Sequence, residues 1–298
     1  MALTLLEAAK RNTGDVHKQG VIELYAQTSD ILRVLPFSGI PGNALRYDRE
    51  DALPGVGFRG VNEGYTESTG VINPQTETLT IAGGDIDVDR FITQTTGANQ
   101  RAIQESMKIK ALAHRWSNVF IKGDSTTNAK EFDGLQTRLT GNQLISQGSA
   151  SGGDVLSLSK LDELIDSVDD PQYLLMSKAM RRRLTQSTRS TGVSGYLTYS
   201  KDEFGRPVTQ YNDLTILVAD KNADLYATLA FNEANPGGGS NVGTSVYCMS
   251  FGDGVLTGIE NGGIDARDLG ELDSKPLNVL ESSGTRASPC TTLEPRLV

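Results

Sequence analysis

Two cysteines, two histidines and one tryptophan are all that 298 residues hold of those three types. Each scarcity excludes something. Cys248 and Cys290 stand in no metal-ligand or redox spacing, which argues against a disulfide framework or a zinc site. His17 and His114 are the only side chains with an ordinary pKa suited to acid–base work near neutral pH. Neither accompanies a nucleophile signature, so both read as plain helix-face histidines, and no cofactor is expected. No apolar run approaches the ~20 residues of a membrane span, and no charged and apolar leader opens the chain, which predicts a cytosol-like protein without a membrane partner. Aromatics make up only 6%, while the 32 glycines exceed the usual ~7% share. That balance favours turns and extended segments over a helical bundle. The 37% hydrophobic content still provides a core for one large or two ordinary domains.

Basic charge is also in deficit. A net charge of −9 argues against broad, nonspecific gripping of nucleic acid, which needs a surplus of Lys and Arg. It leaves room for a protein that encloses nucleic acid without holding it. The local motifs are weak. "GGGS" from Gly237 lacks the Lys-Ser/Thr of a phosphate loop and reads as a flexible loop. Arg181, Arg182 and Arg183 form a basic helix flank. Alternation places Asp85, Asp87 and Asp89 on one face of a strand, where they suit an edge that repels other edges better than a cation site. The carboxylate pairs Asp169-Asp170 and Glu50-Asp51 are ordinary surface and cap features.

What is present is an ordered succession of patterns. Two short helical stretches, with faces Leu3, Leu6, Ala9 and then Val21, Ile22, Leu24, Tyr25, end before Pro36 and Pro41 and are expected to lie as an arm on another surface. From Asn43 to about Ile92 the chain reads as extended, "ALRYDRE" and "TETLTIAGGDIDVDRF" alternating between glycine-marked bends. A two-stranded ribbon of that length needs a partner surface. Ile109, Leu112, Ala113, Trp116, Val119 and Phe120 then recur at three-and-four spacing, predicting a helix from about Ala98 to Lys122 with Thr96 or Asn99 as its cap and Gly123 as its stop. Beyond a turn-rich "EFDGLQTRL" come a helix over "SLSKLDELIDSV", a buried strand "YLLMS", and a helix "KAMRRRLTQ" capped by Ser177. A hairpin turning at Tyr211-Asn212-Asp213 follows, then a strand "LYATLAF", a loop "NPGGGSNVG", and the strands "TSVYCMSFG" and "GVLTGIENGGIDARDL".

Charge divides unevenly between the two longest elements. From Arg46 to Arg90 four basic residues (Arg46, Arg49, Arg59, Arg90) face nine acidic ones (Asp48, Glu50, Asp51, Glu63, Glu67, Glu77, Asp85, Asp87, Asp89). From Ala98 to Lys122 five basic residues (Arg101, Lys108, Lys110, Arg115, Lys122) face Glu105 alone. An acidic ribbon and a basic helix are complementary surfaces. Pairing between neighbouring copies and pairing within one chain both satisfy the pattern. Arg46, Arg49, Glu50, Arg59, Glu63, Glu67, Glu77, Arg101, Lys108, Lys110 and Arg115 are the candidate subunit-interface residues.

In that order, an amino-terminal arm, a long two-stranded loop, a spine helix and a mixed domain with returning strands resemble the major capsid proteins of tailed bacteriophages, the α+β Hong Kong 97-type fold. "ALTLLEAAK", "LPFSGIPGNALRYDREDALPGVGFRGVNEGYTESTGVINPQTETLTIAGGDIDVDRFI" and "KALAHRWSNVFIKGD" are similar to one group of such shell proteins, and the resemblance runs from about Ala2 to Pro276. It implies an arm over residues 1–42, an extended loop over 43–92, a peripheral domain with the spine helix over 93–131, an axial domain over 132–242, and returning strands with a tail over 243–298. It also implies pentamers and hexamers closing into an icosahedral shell around double-stranded DNA, assembled in the host cytoplasm into a virion, with a portal protein and a scaffold or decoration protein as partners. Some shells of this fold crosslink through a loop lysine, but here no Lys lies between Lys18 and Lys108, which predicts a noncovalent shell. An encapsulin-type cage holding an enzyme cargo is the nearest alternative, and a carboxylate-dependent hydrolase a remote one. From about Leu277 the chain shows neither strand alternation nor a helical stripe, where related proteins finish in an aromatic strand. Read one nucleotide out of phase, permitted codons for 277–298 give a similar finish, so a frameshift is expected there.

Overall fold

The computed structural model describes residues 3–4, 16–89, 91, 94–95, 99–145, 156–190, 197–201, 207–219, 227–234, 242–252, 254–271, 277–291 and 296–297. In chain order the elements are β1 (Leu3–Thr4), α1 (Val16–Thr28), α2 (Asp30–Val34), β2 (Pro36–Gly39), β3 (Ala44–Ala52), β4 (Val71–Asp89), α3 (Asn99–Lys122), α4 (Leu135–Arg138), α5 (Leu158–Asp166), β5 (Tyr173–Met176) and α6 (Lys178–Ser190). There follow β6 (Leu197–Lys201), β7 (Pro207–Tyr211), β8 (Leu214–Val218), β9 (Glu233–Ala234), β10 (Val242–Gly243), β11 (Tyr247–Met249), β12 (Leu256–Glu271), β13 (Leu277–Thr291) and β14 (Arg296–Leu297). The class is α+β, with two six-stranded sheets ordered β1-β2-β12-β13-β4-β3 and β14-β11-β5-β8-β7-β6.

The spine helix α3 forms where the apolar stripe predicts it, and the stripe is what it buries. Ile109, Ala113, Trp116, Val119 and Phe120 are all buried. The Trp116 ring lies 5.3 Å from that of Phe120, 5.9 Å from Phe37 and 6.1 Å from Phe132, an aromatic cluster that draws on three separate segments. Its one polar member of note, Ser117, lies in hydrogen-bond reach of Ala113 O (3.0 Å) and Ser29 Oγ (2.9 Å), the carbonyl accepting and the second hydroxyl able to donate, so the buried hydroxyl is satisfied. The helix ends at Gly123, whose N–H bonds to Val119 O at 2.7 Å and whose carbonyl accepts from Gly134 N at 2.9 Å. A Cβ built on Gly123 meets Phe132 O at 2.2 Å, and one on Gly134 meets Val119 O at 2.5 Å. Only two glycines permit this approach of backbones.

The central strands of the second sheet, β5, β8 and β11, are covered on both faces, which explains why they read as apolar runs. Leu174, Met176, Leu214, Ile216 and Cys248 join Leu161, Leu164 and Ile165 of α5 and Met180 and Leu184 of α6. Leu175, Leu217, Tyr247 and Met249 point the other way, into the core built by α1, α2 and α3. Ser177 caps α6 as the sequence predicts, its Oγ accepting from Met180 N, and Ser157 Oγ likewise accepts from Lys160 N at the start of α5, each at 3.2 Å. The β7–β8 hairpin turns on Asn212 (φ 48°) and Asp213 (φ 66°), both left-handed as a tight two-residue turn requires.

Four expectations change. Val21 to Ile40, expected to lie as an arm on another surface, is packed into the chain's own core, with Ala26, Ile31, Leu32 and Leu35 wholly buried. Of the first helical pattern, Leu3–Thr4 pairs as a strand with Phe37 and Pro36, and Leu6 and Ala9 lie outside the described residues. The predicted strand "LYATLAF" is, over residues 227–231, a series of turns around buried Thr228 and Leu229, because the second sheet is already filled by β8 and β11. Conversely, Leu277–Thr291 forms β13 despite its lack of alternation. Ladders on both sides, to β12 and β4, fix its backbone whatever its side chains favour, and Pro289 falls past Ala287, the last residue paired with β4.

A candidate subunit interface on the extended ribbon

β3 and β4 pair antiparallel, from Ala44↔Thr78 outward to Ala52↔Val71, and project from the body as a ribbon. Their burial decides where support ends. Leu45, Tyr47, Gln75, Glu77 and Leu79 share one face, and all are at least half-buried, with Ile40 and Ile259 packed beside Leu79. Residues 48–74 are exposed throughout. At ~3.3 Å per residue the unsupported part reaches up to about 50 Å from the body.

The tip is apolar and ordered. Val56 and Phe58 are almost wholly exposed, and Leu53, Val61, Tyr65, Val71 and Ile72 are more than half exposed. The chain nonetheless holds the tip in one shape. Gly60 N donates to Glu63 Oε2 at 2.8 Å, Arg59 Nη1 to Glu63 O at 3.1 Å, and Ser68 Oγ to Gly55 O at 2.8 Å, while the Arg59 guanidinium lies 5.2 Å over the Tyr65 ring. A contiguous exposed apolar surface on a preshaped element marks an interaction site.

Toward the body, β4 meets the spine. Even-numbered residues face α3: Ile86 and Val88 are buried, and a Cβ on Gly84 would touch Lys108 Cε and Nζ. Asp85 and Asp87 lie on the opposite, solvent face, so the alternation read from "DIDVD" is real. Among the described residues no group of three or more His, Cys, Asp or Glu side chains is placed to hold a metal ion, and no helix is long and apolar enough to cross a membrane.

The candidate interface residues separate into three kinds. Arg46, Glu50 and Glu67 on the ribbon and Lys110 on the spine are exposed, as is Arg49, which has a partner within the chain. Arg59 and Glu63 shape the tip. Glu77, Lys108 and Arg115 are engaged inside the chain: Arg115 pairs with Glu131, Lys108 covers Gly84, and Glu77 forms a two-pronged ion pair with Arg138. Arg101 is half-buried with an intrachain partner. Glu77 of the ribbon and Arg115 of the spine are therefore paired within one chain, each with a partner outside the other element. Sequence reasoning passed over two features. Arg138 sits in a stretch read only as a turn-rich connection, and no local signal pairs it with a residue 61 positions away. The apolar tip did leave a signal, Leu53, Val56, Phe58 and Val61 at spacings of two to three, inside a segment that reads as polar overall.

Residues 13–159 match the family model described as Major capsid protein GP7. No curated protein matches the sequence. Among solved structures, the encapsulin complex from Synechococcus elongatus is similar with a TM-score of 0.64 and 14% identity, over 90% of this chain and 85% of that one. A chain from Mycobacterium phage Adephagia gives 0.61 and 11%, over 90% and 88%. A structure of the phage G major capsid and decoration proteins gives 0.56 and 12%, over 88% and 85%. The shared architecture is the Hong Kong 97-type fold. A capsid-protein model matched across the ribbon and the spine, together with that fold along nine-tenths of the chain, supports a major capsid protein of the tailed-bacteriophage kind.

Proposed function

We propose that copies of this chain form pentamers and hexamers that close, without covalent crosslinks, into an icosahedral shell around double-stranded DNA in the host cytoplasm. A portal protein and a scaffold or decoration protein complete the particle. The observation that carries the reading is the ribbon tip: a preshaped apolar surface, at the end of an arm its own body does not cover, is stabilised only when another copy receives it. Weak contacts of this kind, repeated over a closed lattice, multiply into a stable shell. The net charge of −9 suits a container that does not grip its contents. The decoration proteins that accompany the phage G capsid support a decorated surface here. The function assigned is assembly, with no catalysis.

Electron microscopy of particles purified from infected or expressing cells tests this. Closed shells of uniform diameter with the ultraviolet absorbance of packaged nucleic acid are expected from infected cells. Shells filled instead with an enzyme cargo would favour the encapsulin reading, and a small soluble oligomer would overturn shell formation altogether.

A further inference from the structure

We infer that the Glu77–Arg138 ion pair is a clamp that sets the angle at which the ribbon leaves the body, and hence the geometry in which copies meet; this rests on the assembly reading above. Arg138 Nη1 lies 2.5 Å from Glu77 Oε1 and Nη2 lies 2.7 Å from Oε2, a planar fork that fixes direction as well as distance. The pair sits near the end of the supported part of the ribbon: Tyr47 and Gln75 form the last half-buried step beyond it, and residues 48–74 are exposed. The side chains of both partners are largely shielded, at 20% and 13% exposure. Burial disfavours the Arg138 charge, and the Glu77 carboxylate outweighs that, so the Arg138 pKa is raised.

A clamp needs a rigid anchor, and α4 is one. Leu135 is buried in the central core. Gln136 Nε2 donates to Glu233 Oε1 at 2.9 Å, Thr137 Oγ1 to Gly123 O at 2.6 Å, and Arg138 Nε to Asp133 O at 2.8 Å. Glu233 in turn accepts from Ser245 Oγ and lies 3.7 Å from Lys122 Nζ. A single helical turn is thus tied to the end of the spine, to the segment leading into the second sheet, and through Arg138 to the ribbon. An ion pair this shielded is screened little by salt and is costly to leave half-made. A small change of angle at the clamp moves a tip about 50 Å away by many ångströms.

Arg138→Gln, Glu77→Gln and the exchanged pair Glu77→Arg with Arg138→Glu test this in the full chain. In the unassembled protein, hydrogen exchange of the amides of residues 71–79 is expected to quicken at least about tenfold in either single variant, with β5, β8 and β11 unchanged. Under conditions where the unaltered chain gives uniform shells, the single variants are expected to give few or misshapen ones, and the exchanged pair to restore both exchange and uniformity. Wild-type exchange over 71–79, loss of protection spread through the whole chain, unaltered shells from the single variants, or no restoration by the exchange would each overturn the clamp. Failure of the unaltered chain to form shells would instead reject the assembly reading and leave the exchange measurement to judge the clamp alone.

Discussion

At the scale of single residues, the tightest constraint is the pair of glycines at the end of the spine. Any side chain at Gly123 or Gly134 collides with backbone carbonyls rather than with a flexible side chain. Gly123→Ala or Gly134→Ala is therefore expected to cost about 3 kcal/mol, read as a lowered midpoint in urea, whereas Gly84→Ala, which displaces only the end of Lys108, should be far milder. Cys248 is wholly buried in the second sheet, and burial pushes its thiol up to about 12. It should stay unlabelled by a thiol reagent at pH 8 in the native protein and react only after unfolding, followed on its own peptide by mass spectrometry. Asp124 works the other way. Hydrogen bonds from the Thr126 and Thr127 side chains, joined by the Thr126 amide, hold its carboxyl at about 2. Because the folded pKa lies below the unfolded one, its contribution is complete above about pH 4 and is lost as pH falls through about 2. Carboxyl titration by NMR should show this midpoint, and Asp124→Ala should remove that part of the acid sensitivity of the loop after the spine.

At the scale of elements, the ribbon is where structure and assembly separate. Val56 and Phe58 are almost wholly exposed, so Val56→Asp together with Phe58→Asp should leave the unfolding free energy of the unassembled chain, from urea titration, within about 0.5 kcal/mol of wild type. The same pair should cut the assembled fraction on a sucrose gradient by at least about tenfold, because the lost contact recurs at every copy. Unchanged assembly would show that the tip is not an interface. The spine, the strands β5, β8 and β11, the β7–β8 turn and the Ser177 cap were legible in the sequence, since each rests on a local rule: a three-and-four stripe, an apolar run, a left-handed Asn-Asp, a hydroxyl before a helix. What was not legible rests on distant partners. Nothing in "LNVLESSGTRASPCT" favours a strand; β13 exists because β4 and β12 present edges to it. The helices of residues 16–34 look like a detachable arm until Trp116, Phe37 and Tyr25 are seen in one core. The charge contrast between ribbon and spine was readable, but its division between intrachain and intermolecular pairing depended on where Arg138 and Glu131 lie.

At the scale of the whole molecule, one chain presents a finished core and an unfinished edge. Among the described residues the two six-stranded sheets and the helices packed on them bury their apolar faces within the chain, while the ribbon carries an apolar surface outward. With no Lys from residue 19 to 107, the ribbon has no amine for an isopeptide bond. Mature particles are expected to run as a single monomer band on denaturing electrophoresis, and a ladder of higher bands would refute the noncovalent shell. The central claim is that the ribbon is completed by another copy. A cryo-electron microscopy reconstruction of the assembled shell tests it most directly: residues 53–70 of each copy should lie against a neighbouring copy with Val56 and Phe58 buried between them. A map in which those residues stand free in solvent, or fold back onto their own body, would contradict it.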